Sequence, residues 1–120
     1  MKDTVIVKGF LEKLWGVKTM IIHITANERW HKSRRDGYYR PESLEETGYI
    51  RCLKPSQFVE IMEGILGERE ELMLVLIDEK RVEAEIKYEN FYDSGEKHPH
   101  IYGELNLDAV IAVESAPYRV

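Results

Sequence analysis

The stretch LMLVLID, residues 72–78, is a continuous apolar run of strand length. A run that does not alternate with polar residues is typical of a central strand covered on both faces. The segment EAEIKYE, residues 83–89, alternates instead, and predicts a strand with Ala84, Ile86 and Tyr88 inward and its charged residues in solvent. We expect these two strands to be adjacent.

Three further strands are predicted on either side of this pair. In MIIHIT, residues 20–25, the period of two places His23 and Thr25 on the same face as Ile21. Residues 49–52 predict a short strand in which Arg51 points away from Cys52, and DAVIAVES, residues 108–115, predicts the last strand. A weaker strand is expected at residues 4–8.

Two helices complete the pattern. Asn27 is a suitable N-cap for a helix that Gly37 would end, and Trp30 is its apolar anchor. Pro55 suits the first turn of a longer helix, whose apolar residues repeat at helical spacing as far as Gly67. A helical turn is expected at residues 10–15, and residues 90–105 are expected to be irregular. Strands mixed with two main helices predict an α+β domain with a mixed or antiparallel sheet.

Composition narrows the function classes. A chain of 120 residues, 43% hydrophobic and 32% charged, has the size and content of one folded domain. Its net charge of −5 disfavours general nucleic-acid binding. No apolar run approaches the ~20 residues of a membrane span, and the single cysteine fits a reducing compartment, so a cytoplasmic protein without membrane association is expected.

Several residues are compatible with catalysis or metal binding, and each also has a simpler structural interpretation. His98 and His100 have the spacing of two ligands on one strand, but no known metal motif is completed, so a hydrogen-bonded loop is favoured and no metal is expected. Cys52 is better explained as buried filler than as a nucleophile. The sequence contains no nucleophile elbow, phosphate loop or G-x-G-x-x-G motif. A basic cluster near residue 30 is interpreted as a solvated helix face; it comprises Arg29, Lys32, Arg34 and Arg35.

Polar and aromatic residues at the strand ends form the remaining candidate site. A buried imidazole or hydroxyl without a partner costs about 1–3 kcal/mol, so such residues indicate either a pocket or a polar core. The set comprises His23, Thr25, Tyr38, Tyr39, Arg51, His100, Tyr102 and Glu104.

The order of these segments carries a family resemblance. IIHIT, Trp30, GYYRPESLEETGYIRC, Gln57, LMLVLID and HPHIYGELNLDAVIAV follow one another as in a small bacterial family of domains of unknown function, number 952. The resemblance covers about residues 20–114. The family is grouped with the ADP-ribosyltransferase-like superfamily, so the resemblance implies a split β-sheet and a central cleft for NAD or a related nucleotide.

The resemblance also implies roles for individual residues. His23 matches a first-strand histidine that contacts the adenosine ribose, with Thr25 beside it. Tyr39 and Ser43 match a tyrosine and serine segment, and His100, Tyr102 and Gly103 match the last motif. Together with the chemistry of Arg51 and Glu104, the candidate cofactor-binding residues are His23, Thr25, Tyr39, Arg51, His100 and Tyr102, and the catalytic candidates are His23, His100 and Glu104.

This chain departs from the family pattern at two places. The family usually has Gly-Phe-Ile-His-Cys-Ser where this chain has Gly48 to Leu53, so a histidine is replaced by Arg51 and a serine by Leu53. Glu104 stands where a proline is common. A guanidinium stays charged and only donates hydrogen bonds, so Arg51 suits a phosphate or carboxylate and is unsuited to act as a base.

Two functions are consistent with the sequence. The first is a domain that binds NAD or a related nucleotide, with ADP-ribosyl transfer or hydrolysis as a further activity. The second is a non-catalytic ligand-binding or protein-interaction domain. Residues 1–19 are expected to be an N-terminal extension packed on a single domain of residues 20–120, and the oligomeric state stays open.

Overall fold

The structure is a computed structural model that describes residues 19–58, 72–90 and 95–115. The predicted strand at 4–8 and the helical turn at 10–15 lie outside the described residues, as does all but the last residue of the expected extension. In the described ranges the strands are β1 Met20–Ala26, β2 Arg34–Arg35, β3 Tyr38–Tyr39, β4 Ile50–Arg51, β5 Leu72–Asp78, β6 Glu85–Glu89, β7 His98–Tyr102, β8 Leu105–Asn106 and β9 Val110–Ser115.

Short helical segments connect these strands. Helix α1 spans Asn27–Lys32 and helix α2 spans Glu42–Thr47, with 3-10 turns at Glu79–Arg81 and Leu107–Ala109. A further helix begins at residue 55, as the proline predicts, and is described through residue 58. No helix in the described ranges is long and apolar enough to cross a membrane.

The strands form three antiparallel sheets, in the orders β1-β5-β9, β2-β3-β8 and β4-β7-β6. The α+β class predicted from the sequence is confirmed. As predicted, β5 is a central strand, with Leu74, Val75, Leu76 and Ile77 all buried.

The first and third sheets are joined at a single point. Ile22 of β1 and Leu53, just after β4, exchange two backbone hydrogen bonds of 2.9 and 2.7 Å. Beyond this bridge no further ladder pairs β1 with β4 in the described residues. These two sheets can therefore be described as the halves of one split sheet, with the strand order β6-β7-β4 in one half and β1-β5-β9 in the other, and with the split between β4 and β1.

One apolar core lies on the inner face of both halves. Ile21 and Val75 from the first half pack in the same cluster as Ile50, Cys52 and Ile101 from the second. The cluster also includes Trp30 of α1, Tyr39 of β3 and Leu44 of α2. Helix α1 and helix α2 thus contribute one residue each to this core, and the small β2-β3-β8 sheet contributes two, Tyr39 and Leu105.

The prediction for the segment after β1 is wrong in its helix length. Asn27 is the first helical residue, and the helix ends at Lys32. Arg34 and Arg35 then pair with Tyr39 and Tyr38 across a two-residue turn. The turn residues Asp36 and Gly37 have φ of 52° and 84°, the left-handed geometry that matches the twist of a tight hairpin. An Asp-Gly hairpin therefore replaces the last part of the predicted helix.

The expected neighbours β5 and β6 do not pair. β6 is an edge strand next to β7, with Ile86 opposite Ile101. Residues 98–102 were expected to be irregular, but they form the strand that pairs with β6. Proline has no backbone N–H to donate, and Pro99 takes part in the ladder through its carbonyl, which accepts a hydrogen bond of 2.9 Å from the backbone of Cys52. Helix α2 lies in a segment, residues 36–48, that is rich in turn-forming residues and for which no helix was predicted.

Candidate functional site

A chain of hydrogen bonds begins at His23 on the inner face of β1. Its Nδ1 lies 2.8 Å from the carbonyl oxygen of Arg51, and its Nε2 lies 2.8 Å from the hydroxyl of Tyr39. Because a carbonyl only accepts, Nδ1 carries the hydrogen, and the Tyr39 hydroxyl must donate to Nε2. Thr25, two residues further along the same face of β1, acts to lower the pKa of Tyr39. The order of donation is Tyr39 to His23 to the Arg51 carbonyl.

Burial keeps this chain neutral. Desolvation lowers the pKa of His23 to about 4, while the hydrogen bond to the Arg51 carbonyl acts in the opposite direction and the charge of Arg29 adds to the lowering. Desolvation also raises the pKa of Tyr39. Both ring nitrogens of His23 are engaged within the protein, and Tyr39 is fully buried against Trp30, with ring centroids 4.7 Å apart. The chain is a structural support behind the protein surface.

A cavity of about 600 Å³ lies next to this support. It is built from the end of β1 at Ala26, helix α1, the β2-β3 hairpin, the start of α2 and the loop after β7. Ala26 is four residues beyond the Ile22 bridge, so the cavity opens at the end of the split sheet where β1 and β4 are no longer paired.

The cavity lining carries equal numbers of both charges. Its cations are Arg29, Lys32, Arg35 and Arg40, and its carboxylates are Glu28, Asp36, Glu42 and Glu104. Arg40 is held by Glu104 at 3.3 Å and by Glu45 at 3.7 Å. In the described ranges Arg29, Lys32 and Arg35 make no ion pair. Three cationic groups therefore remain available to a ligand.

The four residues of the basic cluster, which were interpreted as a solvated helix face, lie in two different environments. Arg34 lies over the Trp30 ring, 5.1 Å from its centroid, and contacts His31 Nδ1 at 2.7 Å. Arg29, Lys32 and Arg35 line the cavity instead. All four residues were predicted to lie on one helix, but Arg35 lies in the hairpin and reaches the cavity from there. The Asp-Gly pair, a common hairpin turn sequence, was the signal that could have predicted this.

A second polar cluster lies on the outer face of the β4-β7-β6 sheet. Glu89 accepts a hydrogen bond from the Nδ1 of His100 at 3.0 Å and another from the hydroxyl of Tyr102 at 2.5 Å. Tyr49 stacks on the His100 ring, with centroids 4.2 Å apart. The hydrogen bond from Tyr102 is the main cause that lowers the pKa of Glu89, and the same bond raises the pKa of Tyr102 to about 12.

The strand register separates these two groups of predicted site residues. Residues paired across an antiparallel ladder share a face, and neighbours along a strand alternate. Leu53 pairs with Ile22, and Arg51 pairs with His100. The Arg51 side chain therefore shares the outer face with His100 and Tyr102, whereas His23, Thr25 and Tyr39 lie on the inner side. Only the backbone carbonyl of Arg51 reaches the His23 group.

The other candidates are placed as follows. Glu104 lines the cavity, and Ser43 lies in α2. Cys52 is fully buried in the core, and burial raises the pKa of its thiol, as expected for an inert residue. The structure holds no group of three or more metal-ligating side chains within the described ranges.

Comparison with known proteins identifies the family and the fold. The model of the family described as protein of unknown function, DUF952, matches residues 24–113. The fold is similar to that of the crystal structure of protein CC0527 from Caulobacter crescentus, a structural genomics target, with a TM-score of 0.66 and 20% identity over 81% of this chain and 85% of that one. A double mutant of the same Caulobacter protein gives the same values. The search among curated proteins found no match.

Proposed function

The chain belongs to the DUF952 family, whose function is unknown, and we propose that it is a small-molecule-binding domain that takes NAD or a related nucleotide at the open end of the split sheet. The observation that carries this proposal is the cavity of about 600 Å³ between Ala26, α1, the hairpin and Glu104. Cavities of roughly 300–1,000 Å³ are the usual size for small-molecule and cofactor sites.

The charges of the lining fit a ligand that carries both signs. A purely polyanionic ligand would meet Glu28, Asp36 and Glu42 as well as the cations, so the balanced lining disfavours it. NAD combines a negative pyrophosphate with a positive nicotinamide ring. Arg29 and Lys32, three residues apart on α1, and Arg35 on the hairpin are suited to the pyrophosphate, because neither side chain type loses its charge near neutral pH.

His23 has a supporting role in this proposal. The resemblance implied that it contacts a ribose, but its two ring nitrogens already bind Tyr39 and Arg51. Its hydrogen bond fixes Tyr39, and Tyr39 packs on Trp30, the buried anchor of α1. The His23 chain thus holds the helix that presents Arg29 and Lys32 to the cavity.

Calorimetric titration of the full chain with NAD, ADP-ribose and 2′-phosphorylated nucleotides tests the proposal. We expect heat on binding of NAD, and a loss of about tenfold in affinity for Arg29→Glu. The matched control is Arg34→Glu, since Arg34 is close in sequence and packs on Trp30 outside the cavity lining. Absence of heat and of a thermal shift with millimolar concentrations of all three ligands would contradict nucleotide binding.

One observation favours a second candidate activity, hydrolysis of NAD to nicotinamide and ADP-ribose. Glu104 is a carboxylate at the cavity, and Arg40 fixes its position at 3.3 Å. A carboxylate beside the ribose would stabilise the positive charge that develops as the glycosidic bond breaks and water attacks. Release of nicotinamide by the native protein that Glu104→Gln abolishes, and that the control Glu45→Gln retains, is the expected result. Binding without release would leave the domain non-catalytic.

A further inference from the structure

The strongest unexplained feature outside the cavity is a buried histidine at the start of β7. His98 is only 8% exposed, and its Nδ1 is buried with no hydrogen-bond partner among the described residues. A buried polar nitrogen without a partner destabilises a protein by about 1–3 kcal/mol. Such a group in a folded protein commonly marks the place of a water molecule, an ion or a ligand.

The register places His98 diagonally across from Arg51, on the same face of the sheet. His100 pairs with Arg51 across β4 and β7, and His98, two residues earlier on β7, shares the face of His100. The Arg51 side chain is exposed at this edge. Two cationic side chains, Arg51 of β4 and Lys54 three residues later, act electrostatically on His98.

The charges around His98 decide what kind of ligand would fit. Arg51, Lys54 and His100 lower the pKa of His98 in addition to burial, and only Glu96 acts to raise it. From the neighbouring strand Glu89 lies opposite His98, but its Oε1 accepts hydrogen bonds from His100 and Tyr102. A metal cation would meet two permanent positive charges here. An anion would meet the permanent positive charge of Arg51 and a ring nitrogen of His98 that can donate.

We propose that Arg51 and His98, with Lys54 beside them, form an oxyanion site for a phosphate or carboxylate group on the outer face of β4 and β7. The site is independent of the cavity, because the two lie on opposite faces of the split sheet. The Nδ1 of His98 carries the hydrogen that the oxyanion accepts.

Ring nitrogen signals of the native protein in long-range proton–nitrogen NMR spectra test this proposal directly. The chain has four histidines, so each ring can be assigned. Inorganic phosphate and acetate are titrated separately, with ionic strength held constant by sodium chloride. We expect a saturable change at His98 Nδ1 in the millimolar range and an increase in the His98 pKa. His31, which is exposed and contacts Arg34, is the internal control and should stay unchanged.

Variants then connect the signal to the residues. Arg51→Leu should weaken the response of His98 by about tenfold, whereas Arg35→Ala in the cavity should not alter it. His98→Asn, which keeps a donor near the position of Nδ1, should retain a phosphate-dependent thermal shift that His98→Phe loses. A response to one probe alone assigns the ligand as a phosphate or a carboxylate. No response of His98 to either probe, or an equal response in Arg51→Leu, overturns the site, and neither result bears on NAD binding in the cavity.

Discussion

The imidazole of His23 donates a hydrogen bond of 2.8 Å to the backbone carbonyl of Arg51 at the place where the sheet splits. Ile22 and Leu53 form a hydrogen-bonded antiparallel pair, so the next such pair in a continuing ladder would be Ile24 with Arg51. The carbonyl of Arg51 would then accept from the backbone of Ile24. Because the side chain of His23 takes that carbonyl, the ladder stops without leaving the acceptor unpaired, and β1 and β4 can diverge toward the cavity.

Replacement of His23 by leucine should destabilise the fold by about 2–4 kcal/mol, because it removes the partners of two buried groups, the Arg51 carbonyl and the Tyr39 hydroxyl. Urea denaturation of His23→Leu, Tyr39→Phe and the double variant measures this loss. A coupling free energy of about 1 kcal/mol between the two positions is expected. Additive losses would contradict a direct hydrogen bond between them.

Stability should also fall as the pH is lowered through the range set by His23. Its pKa is 6.5 when unfolded and about 4 when folded, so the unfolded chain binds more protons between these values. The contribution of the neutral buried ring is complete above pH 6.5 and is lost toward pH 4, and it amounts to roughly 3 kcal/mol. Free energies of unfolding measured from pH 7 to pH 4 check the slope. The variant His23→Gln, which cannot be protonated, should show a clearly smaller slope, and an unchanged slope would assign the effect to other groups.

The sequence predicted individual strands better than their partners. Strands lie within each of the predicted segments 20–25, 49–52, 72–78 and 108–115, and His23 and Thr25 share one face as predicted, because apolar runs and alternation are local patterns. The pairing of β6 with β7 depends on contacts distant in sequence. In HPHIY, proline and two histidines interrupt the usual strand composition, and the segment forms a strand because β4 and β6 bind it on both sides.

The same limit applies to the candidate site. The sequence identified His23, Tyr39, Arg51 and His100 as one group, since each is a polar residue at a strand end. Their separation onto two faces depends on the pairing of Ile22 with Leu53, a contact between two strands that touch at one pair of residues. The periodicity within either strand contains no information about such a contact. To predict that Arg29 and Arg35 line one cavity, the Asp36-Gly37 hairpin would have had to be recognised in the sequence.

A side chain at Gly103, the glycine after β7, should destabilise the fold. Gly103 has φ of 152°, and a Cβ built there would lie 3.0 Å from the Cβ of Ala84. Gly103→Ala should therefore destabilise the fold by about 1–3 kcal/mol through backbone strain and the close contact. Adding Ala84→Gly removes the contact and should recover part of the loss in thermal denaturation. Full stability of Gly103→Ala alone would mean that the loop before Glu104 adapts freely.

The thiol of Cys52 should report opening of the β4 region from inside the core. The side chain is fully buried and burial raises the pKa of the thiol, so two barriers, access and ionisation, oppose its reaction in the native state. With an aromatic disulfide reagent at pH 8, we expect the one cysteine to react only as fast as the protein opens, and at the rate of a free thiol in urea. Saturating ligand in the cavity should slow the native reaction if it stabilises the folded state, because ligand binding shifts the opening equilibrium by mass action. The variant Arg29→Glu, which weakens the proposed ligand contact, should lose this protection while keeping the urea rate. Rapid labelling of the native protein that does not depend on its stability would show that Cys52 is accessible without unfolding.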